Sequence, residues 1–140
     1  MLKDVLAKNL DIVFCGTAKG EASVRLGYYY AGPGNKFYTI LHKAGFTPHK
    51  LEPDECFSIN QYSIGLTDLV HSESGNDDVI HDSSYEVDGF IEKIKELKPR
   101  YIAFNSKKGA SFALGFNGKT KMVKYGLQNE RIGDSQVFIL

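Results

Sequence analysis

Residues 16–23 form the first segment whose side chains could do chemistry, because two glycines, a lysine and hydroxyl groups directly follow an apolar run. The segment reads Gly16-Thr17-Ala18-Lys19-Gly20-Glu21-Ala22-Ser23. In an open α/β sheet, ligands bind beyond the carboxyl ends of the strands, so the loop after a first strand is a natural binding site. The segment has neither the G-x-x-x-x-G-K-[ST] spacing of nucleotide hydrolases nor the G-x-G-x-x-G spacing of dinucleotide-binding proteins. The segment therefore gives no motif evidence for a nucleotide hydrolase or a dinucleotide-binding protein.

A second chemically rich segment spans residues 28–38 and combines aromatic rings with two glycines, an amide and a cation. Aromatic rings such as that of Tyr30 can stack on a flat ligand, and stacking on a nucleobase is worth about 1–3 kcal/mol. The carboxamide of Asn35 can pair with the edge of a base. In the alternative interpretation, the tyrosines pack a helix onto the sheet and Asn35 caps that helix. The composition of the segment alone favours this structural role.

The elements that must position these segments follow from apolar runs and turn residues. Strands are predicted where short apolar runs end in turns, at residues 10–15, 65–70, 101–104 and 135–140. Helices are predicted after Pro33 up to Gly45, after Pro53, from a capping box of Ser83 and Glu86 up to Pro99, and over residues 108–116. The alternation predicts an α/β fold, a three-layer sandwich with a central, mostly parallel four-stranded sheet and helices on both faces.

Length and composition indicate one globular domain over residues 1–140, since a domain takes roughly 150 residues. Hydrophobic residues make up 42% and charged residues 24%, which argues against disordered, collagen-like or coiled-coil chains. No apolar run approaches the roughly 18 residues of a membrane helix, and the N-terminus lacks the features of a secretory signal. We therefore expect a cytoplasmic protein that does not bind membranes. Cys15 and Cys56 are expected to stay reduced, without a disulfide or a metal.

The charges are balanced in number but uneven along the chain. Lys plus Arg and Asp plus Glu each number 17, so the chain is not a strongly basic, histone-like binder. Residues 51–90 hold ten acidic and no Lys or Arg residues, whereas residues 91–124 hold eight Lys and one Arg against two Glu. The basic half could face phosphates, although solvated helix faces more often explain such runs.

The order of these segments resembles that of one family. A strand followed by GTAKGEAS, then YYAGPGNKFY and AGF, resembles the mismatch-specific uracil and thymine DNA glycosylases and the hypoxanthine DNA glycosylases of the uracil-DNA glycosylase superfamily. The resemblance spans almost the whole chain and includes residues 65–69 and 103–109. It implies an enzyme that flips a damaged or mispaired base out of DNA and cuts the bond between the base and its deoxyribose. The fold it implies is a parallel sheet between helices.

The two branches that this chain resembles differ in where they carry a catalytic amide. The mismatch-specific branch has Gly-x-Asn-Pro-Gly after its first strand, where this chain has Ala18 and Lys19 in place of Asn and Pro. A methyl group cannot orient the attacking water, and losing one such contact typically costs about 10²–10³ in rate. Like this chain, the hypoxanthine branch lacks a polar catalytic residue at that position. The two also share the pattern Tyr-Tyr-Ala-x-Pro-x-Asn-x-Phe. The resemblance therefore implies Asn35 as the first catalytic candidate.

The same resemblance implies roles for the remaining candidate residues. Tyr30 would stack on the flipped base, while Gly16, Thr17 and Ala18 would line the base pocket with main-chain donors. Ser23 would contact a phosphate or the base, or only cap a turn. Asp68 would orient water or stabilise the cationic sugar, unless it is a solvated strand-end residue. Further along the chain, the assignments are a base contact for Asn105 and phosphate contacts for Lys107 and Lys108.

The C-terminus departs from the family pattern. The family follows its last strand with a Pro/Ser-rich loop that enters the duplex, and here the sequence ends at Leu140. We expect either a truncated chain or a shortened homologue that binds duplexes more weakly.

The combined expectation is a monofunctional, monomeric DNA glycosylase acting on deaminated bases such as uracil or hypoxanthine. Water would be the nucleophile, with no metal or organic cofactor, and the enzyme would lie at the nucleoid in a prokaryote. No Lys has a family-assigned Schiff-base role, although Lys19 lies in the site motif. Two alternatives stay open: a catalytically weak or inactive nucleic-acid-binding module of the same fold, and a small-nucleotide-binding protein.

Overall fold

A five-stranded sheet forms the centre of the protein. The computed structural model describes residues 2–140, with the backbone alone for Asp77. The strands, in chain order, are β1 (Ile12–Gly16), β2 (Ile64–Asp68), β3 (Tyr101–Phe104), β4 (Gly126–Ile132) and β5 (Ser135–Ile139). Their spatial order is β2-β1-β3-β5-β4, and only β4 runs antiparallel to its neighbour. The carboxyl ends of β1, β2 and β3 therefore meet at one edge of the sheet.

Helices connect the parallel strands, as crossovers in such sheets require. They are α1 (Glu21–Leu26), α2 (Phe37–Lys43), α3 (Val87–Leu97) and α4 (Lys107–Ala113), with a ten-residue 3₁₀ helix at Pro53–Tyr62. Shorter 3₁₀ turns lie at Asp77–Val79, Asp82–Ser84 and Thr120–Met122. No helix formed by residues 2–140 is both long and apolar enough to cross a bilayer.

Two hydrophobic clusters, one on each face of the sheet, make the three layers. Successive side chains of a strand point to opposite faces. On β1, Phe14 accordingly packs in the cluster that includes Leu41 of α2 and Ile59 of the 3₁₀ helix. Cys15 packs in the other cluster, with Phe90 and other residues of α3 and α4. The α/β sandwich predicted from the sequence is confirmed.

The sheet has five strands, so the predicted number of four is wrong. The missing strand is β4, whose central residues Gln128 to Arg131 are polar. As an edge strand with few buried side chains, β4 shows no clear apolar period. Its conformation is set by backbone pairing with β5. The signal that could have found it is the two-residue turn Gly133-Asp134, which joins the paired residues Ile132 and Ser135.

Two predicted helix starts are also wrong. Helix α2 begins at Phe37, because Gly34 has a left-handed φ of 79° and a turn joins the N–H of Asn35 to the carbonyl of Gly32. Helix α3 begins at Val87, because Glu86 and not Ser83 occupies its N-cap position, and the side chain of Glu86 makes no capping hydrogen bond. The carboxylate of Glu86 lies 2.7 Å from Nδ1 of His71 instead.

Candidate active site

The ends of three parallel strands bring the candidate residues together. Gly16 ends β1 and is paired in register with Asp68, which ends β2, and Asn105 directly follows β3. A cavity of about 430 Å³ opens at this edge of the sheet, within the size range of roughly 300–1,000 Å³ typical of ligand sites. Its lining includes seven predicted site residues together with Asp68: Gly16, Thr17, Ala18, Ser23, Tyr30, Asn35 and Asn105. Every predicted base-pocket and catalytic residue therefore lines one cavity.

Gly16 allows the closest approach between β1 and the end of β2. A Cβ at this position would lie 2.6 Å from Oδ1 of Asp68 and 3.8 Å from Nδ2 of Asn105. Any side chain would therefore push the Asp68 carboxylate away. The glycine of the site motif is thus required by the position of an acidic group on the adjacent strand.

Asp68 forms a buried ion pair with Lys19. Lys19 Nζ lies 2.8 Å from Asp68 Oδ2, and the two side chains are only 8% and 5% exposed. The Lys19 ammonium also lies 5.3 Å from the ring centroid of Tyr29, which is itself buried. Because Asp68 is almost completely enclosed, the alternative of a solvated strand-end carboxylate is wrong.

The environment of Asp68 shifts its titration in opposing directions. Burial raises the pKa of Asp68 above its ordinary value, because a carboxylate loses hydration in the cavity wall. The positive charges of Lys19 and His71 oppose that rise, and the negative charge of Asp4 adds to it. The balance leaves the pKa raised, which is common for carboxylates at functional sites.

Tyr30 is held by contacts on its ring and on its hydroxyl group. Its ring stacks on that of Phe37 with centroids 3.8 Å apart, and Asn105 Nδ2 donates a hydrogen bond of 2.5 Å to its hydroxyl. The backbone of Tyr30 is left-handed, with φ of 55°, a conformation that costs energy for a bulky residue. Below it, Tyr38 Oη donates to the carbonyl of Tyr29 at 2.6 Å. These contacts fix the aromatic segment against the cavity.

Asn35 lines the cavity and also stabilises the start of α2. Its Oδ1 accepts a hydrogen bond from the N–H of Phe37 at 2.9 Å, and its side chain is otherwise exposed. This bond is a local side-chain turn that satisfies one of the unpaired amides at a helix start. The structural interpretation of Asn35 therefore holds in part, and its position on the cavity leaves the amide NH₂ able to meet a ligand.

The hydroxyl residues of the site hold its loops together. Ser23 Oγ accepts a hydrogen bond from the N–H of Ala31 at 3.2 Å, which ties α1 to the aromatic segment. Thr17 Oγ1 lies 3.1 Å from Ser106 Oγ, the side chain that caps α4. The contact between Thr17 and Ser106 joins the loops after β1 and β3.

Lys107 and Lys108 begin α4, directly after the cavity residues Asn105 and Ser106. Lys107 Nζ lies 4.3 Å from the ring centroid of Tyr125, an exposed residue, and Lys108 Nζ lies 3.6 Å from Asp82 Oδ1. Both cations therefore lie beside the cavity rather than in its lining.

Sequence reasoning missed several features of the site. It considered Lys19 as the replacement of a proline and as a lysine without an assigned Schiff-base role, whereas Lys19 is the partner of Asp68. It named no candidate between residues 69 and 104, although Gly75 and Asn76 line the cavity after a bridge between Lys19 and Ser74. No local pattern could have found these contacts, because they join loops from different strands.

A cluster of charged side chains around His71 lies next to Asp68. His71 is half-buried, with Nε2 3.2 Å from Asp4 Oδ1 and Nδ1 2.7 Å from Glu86 Oε2. These two carboxylates raise the pKa of His71, and Lys93 Nζ completes the cluster 2.6 Å from Asp4 Oδ2. This cluster lies at the other side of Asp68 from the main cavity and ties the N-terminal segment to α3.

The fold and the cavity define a class of protein, a three-layer α/β protein with a polar, aromatic-lined site at the carboxyl ends of its parallel strands. A sequence model of the Uracil DNA glycosylase superfamily matches residues 3–140. The chain belongs to that superfamily, which the resemblance of its motifs had implied. The class is therefore that of the DNA glycosylases, hydrolases of N-glycosyl bonds that bind DNA and act in its repair.

Proposed function

We propose that the protein is a monofunctional DNA glycosylase that excises a deaminated base, uracil or hypoxanthine, from a flipped nucleotide. The observation that carries this proposal is the convergence of Asp68, Asn35, Asn105 and Tyr30 on one cavity of about 430 Å³. A flipped base needs a stacking face, hydrogen-bonding groups for its edge and a charged group near the sugar. These four side chains supply all three.

The chemistry assigned to the site is hydrolysis. The bond between C1′ of the sugar and the base nitrogen breaks, and a water oxygen bonds to C1′. One proton of that water ends on the base nitrogen, and the other stays on the new C1′ hydroxyl. The Asp68 carboxylate stabilises the positive charge that develops on the sugar. The Asn35 amide positions the water or polarises the base, and Tyr30 holds the base by stacking.

A monofunctional reaction fits the state of the lysine in the cavity. An amine must have a free lone pair to attack C1′ of the sugar. Lys19 Nζ is instead paired with the Asp68 carboxylate at 2.8 Å. We therefore assign Lys19 no covalent role, and expect borohydride to trap no protein–DNA adduct during excision.

The test is an excision assay on duplex and single-stranded oligonucleotides that contain uracil, hypoxanthine, xanthine or mispaired thymine. We expect release of uracil or hypoxanthine, and the Asp68→Asn variant serves as the control for a contaminating glycosylase. Binding to DNA without excision of any of these bases would instead support the catalytically inactive module.

The ring of Tyr30 should matter for capture of the base and not for contacts with phosphates. Tyr30→Ala is expected to weaken binding of a base-containing duplex by about 1–3 kcal/mol, without changing the dependence of affinity on salt, because stacking releases no counterions. Fluorescence anisotropy at several salt concentrations measures both quantities. Tyr30→Phe is the matched control, since it keeps the ring and removes the hydroxyl that accepts from Asn105. Equal binding of damaged and undamaged duplexes by wild type and Tyr30→Ala would contradict this role.

Lys107 should act on all DNA alike. Lys107→Ala is expected to weaken binding to damaged and undamaged duplexes equally and to reduce the salt slope by about one unit, because one phosphate contact is lost. Lys108→Ala should act in the same direction with a smaller effect, since Asp82 Oδ1 lies 3.6 Å from its ammonium. Lys8→Ala is the matched control, because Lys8 is exposed and precedes β1, at the opposite edge of the sheet. An unchanged salt slope for Lys107→Ala would remove the phosphate assignment.

The raised pKa of Asp68 predicts the acid limit of excision. If the ionised carboxylate is required, the single-turnover rate rises as pH increases through that raised pKa, above the ordinary value of 3.8. The free energy of unfolding should change with pH in the opposite direction to the excision rate. A carboxyl group whose pKa is raised in the folded state stabilises the fold less as pH rises through the same window. Excision measured from pH 4 to pH 8 tests this expectation. Lys19→Met should move the acid limit to higher pH, because Lys19 lowers the pKa of Asp68.

A further inference from the structure

Lys19 differs chemically from the other side chains of the cavity. The side chains with polar groups among the described lining residues are hydroxyls, carboxamides, the carboxylate of Asp68 and the ammonium of Lys19. A hydroxyl can rotate to donate or accept, and a carboxamide carries both a donor and an acceptor. The ammonium has three N–H donors and no acceptor. Within residues 2–140, Lys19 is therefore the one lining side chain that can only donate hydrogen bonds.

The geometry fixes the ammonium and leaves part of it unused. Asp68 Oδ2 holds Nζ at 2.8 Å, and the ring of Tyr29 lies against it with the centroid at 5.3 Å. No other hydrogen bond or ion pair of the Lys19 side chain is found within the described part of the chain. Because the contact with Asp68 engages one N–H at most, at least two N–H groups remain without an acceptor among the described residues, on a cation that is only 8% exposed.

The neighbourhood of this cation contains a second polar group without a partner. Tyr29 is 3% exposed, lines the same cavity, and its hydroxyl has no hydrogen-bond partner among residues 2–140. Buried hydroxyls in proteins nearly always have a partner, and an exception calls for an explanation. A polar ligand in the cavity would supply one.

We propose that Lys19 is a specificity-determining residue, which donates a hydrogen bond to the exocyclic carbonyl oxygen that deamination places on a base. This inference rests on the proposed function and names the feature of the substrate that the site reads. Deamination replaces an exocyclic amino group, a donor, by a carbonyl oxygen, an acceptor. A group that only donates can form a hydrogen bond to the carbonyl oxygen of a deaminated base. It forms none with the amino group of an undamaged base, because two donors would then face each other. Asp68 holds the ammonium in place while its second and third N–H groups face the base.

The test compares bases that differ only in that oxygen. Hypoxanthine is paired with unsubstituted purine, and uracil with 2-pyrimidinone, which lack the carbonyl in question. The effect of Lys19→Met on single-turnover excision is measured separately for each base, so that differences in leaving-group reactivity cancel. We expect the variant to slow excision of the carbonyl-bearing base roughly 10- to 100-fold more than that of its carbonyl-free partner, the usual range for a hydrogen bond to a charged group. Any slowing that arises through the pKa of Asp68 applies to both bases and cancels in this ratio.

Controls separate this inference from a structural role and from the proposed function itself. Lys8→Met, an exposed lysine at the other edge of the sheet, should leave all rates unchanged. Equal slowing of both bases by Lys19→Met would overturn the inference and leave the glycosylase function standing, since it would mean that Lys19 acts only through Asp68. If wild type releases none of the bases, the proposed function fails and the inference falls with it.

A binding measurement covers the case in which Lys19→Met folds poorly. Wild-type protein is titrated by anisotropy with duplexes carrying hypoxanthine, purine or adenine at the same position. We expect the tightest binding for hypoxanthine, by about 10-fold or more over purine. Equal affinity for hypoxanthine and purine would overturn the inference without any variant.

Discussion

Asn35→Ala lowers the single-turnover excision rate by about two orders of magnitude, if the amide carries the chemistry that its place in the cavity supports. The reason is that a positioned donor stabilises the transition state without reorganising, and alanine has no polar atom to replace it. The same variant also removes the hydrogen bond from the N–H of Phe37 to Oδ1, which is 2.9 Å long. Loss of such a helix-start bond typically costs about 1 kcal/mol of stability.

A second variant separates these two effects of Asn35. Asn35→Ser keeps a side-chain oxygen that can accept from the amide of Phe37, because serine favours this type of turn, but it has no carboxamide. We expect Asn35→Ser to melt close to the wild-type temperature and to be as slow in excision as Asn35→Ala. Recovery of excision together with the melting temperature would show that Asn35 acts only through the start of α2.

The sequence predicted the layers of this fold because its strongest signals are apolar runs. β1, β2 and β3 are short and buried, and the helical period of Phe90, Ile91 and Ile94 is clear. β4 was not predicted, because it is stabilised by pairing with β5 and not by burial of its own side chains. Helix starts were less accurate, since a turn at Gly34 and the contact of Glu86 with His71 override local capping preferences.

The site was predictable as a set of residues and not as a set of contacts. Motif order named the residues that line the cavity, because the loops after neighbouring parallel strands meet at one edge. The pairing of Lys19 with Asp68 depends on the register of β1 against β2 and on the path of the loop after Gly16. Neither is encoded in the spacing of residues that lie 49 positions apart in the sequence.

That ion pair gives the largest stability effect expected in the protein. Asp68→Asn leaves the Lys19 ammonium buried without a counter-charge, and breaking a buried pair in this way typically costs about 3 kcal/mol or more. Lys19→Met should cost less, because the Asp68 carboxyl already has a raised pKa and can take up a proton. The double variant Lys19→Met/Asp68→Asn should recover most of the loss, since a neutral pair of similar volume needs no counter-charge. Urea unfolding of the four proteins gives the coupling free energy between the two side chains.

The control for this cycle is the pair of Lys108 and Asp82, whose carboxylate is 72% exposed. Asp82→Asn should change the free energy of unfolding by less than about 0.5 kcal/mol, as solvated pairs usually do. Additive effects of the Lys19 and Asp68 substitutions on the free energy of unfolding would contradict the buried pair.

Excision assays on the same proteins separate the effect of the ion pair on stability from its effect on the reaction. The double variant should regain its fold and stay inactive, because the carboxylate that stabilises the sugar cation is still missing.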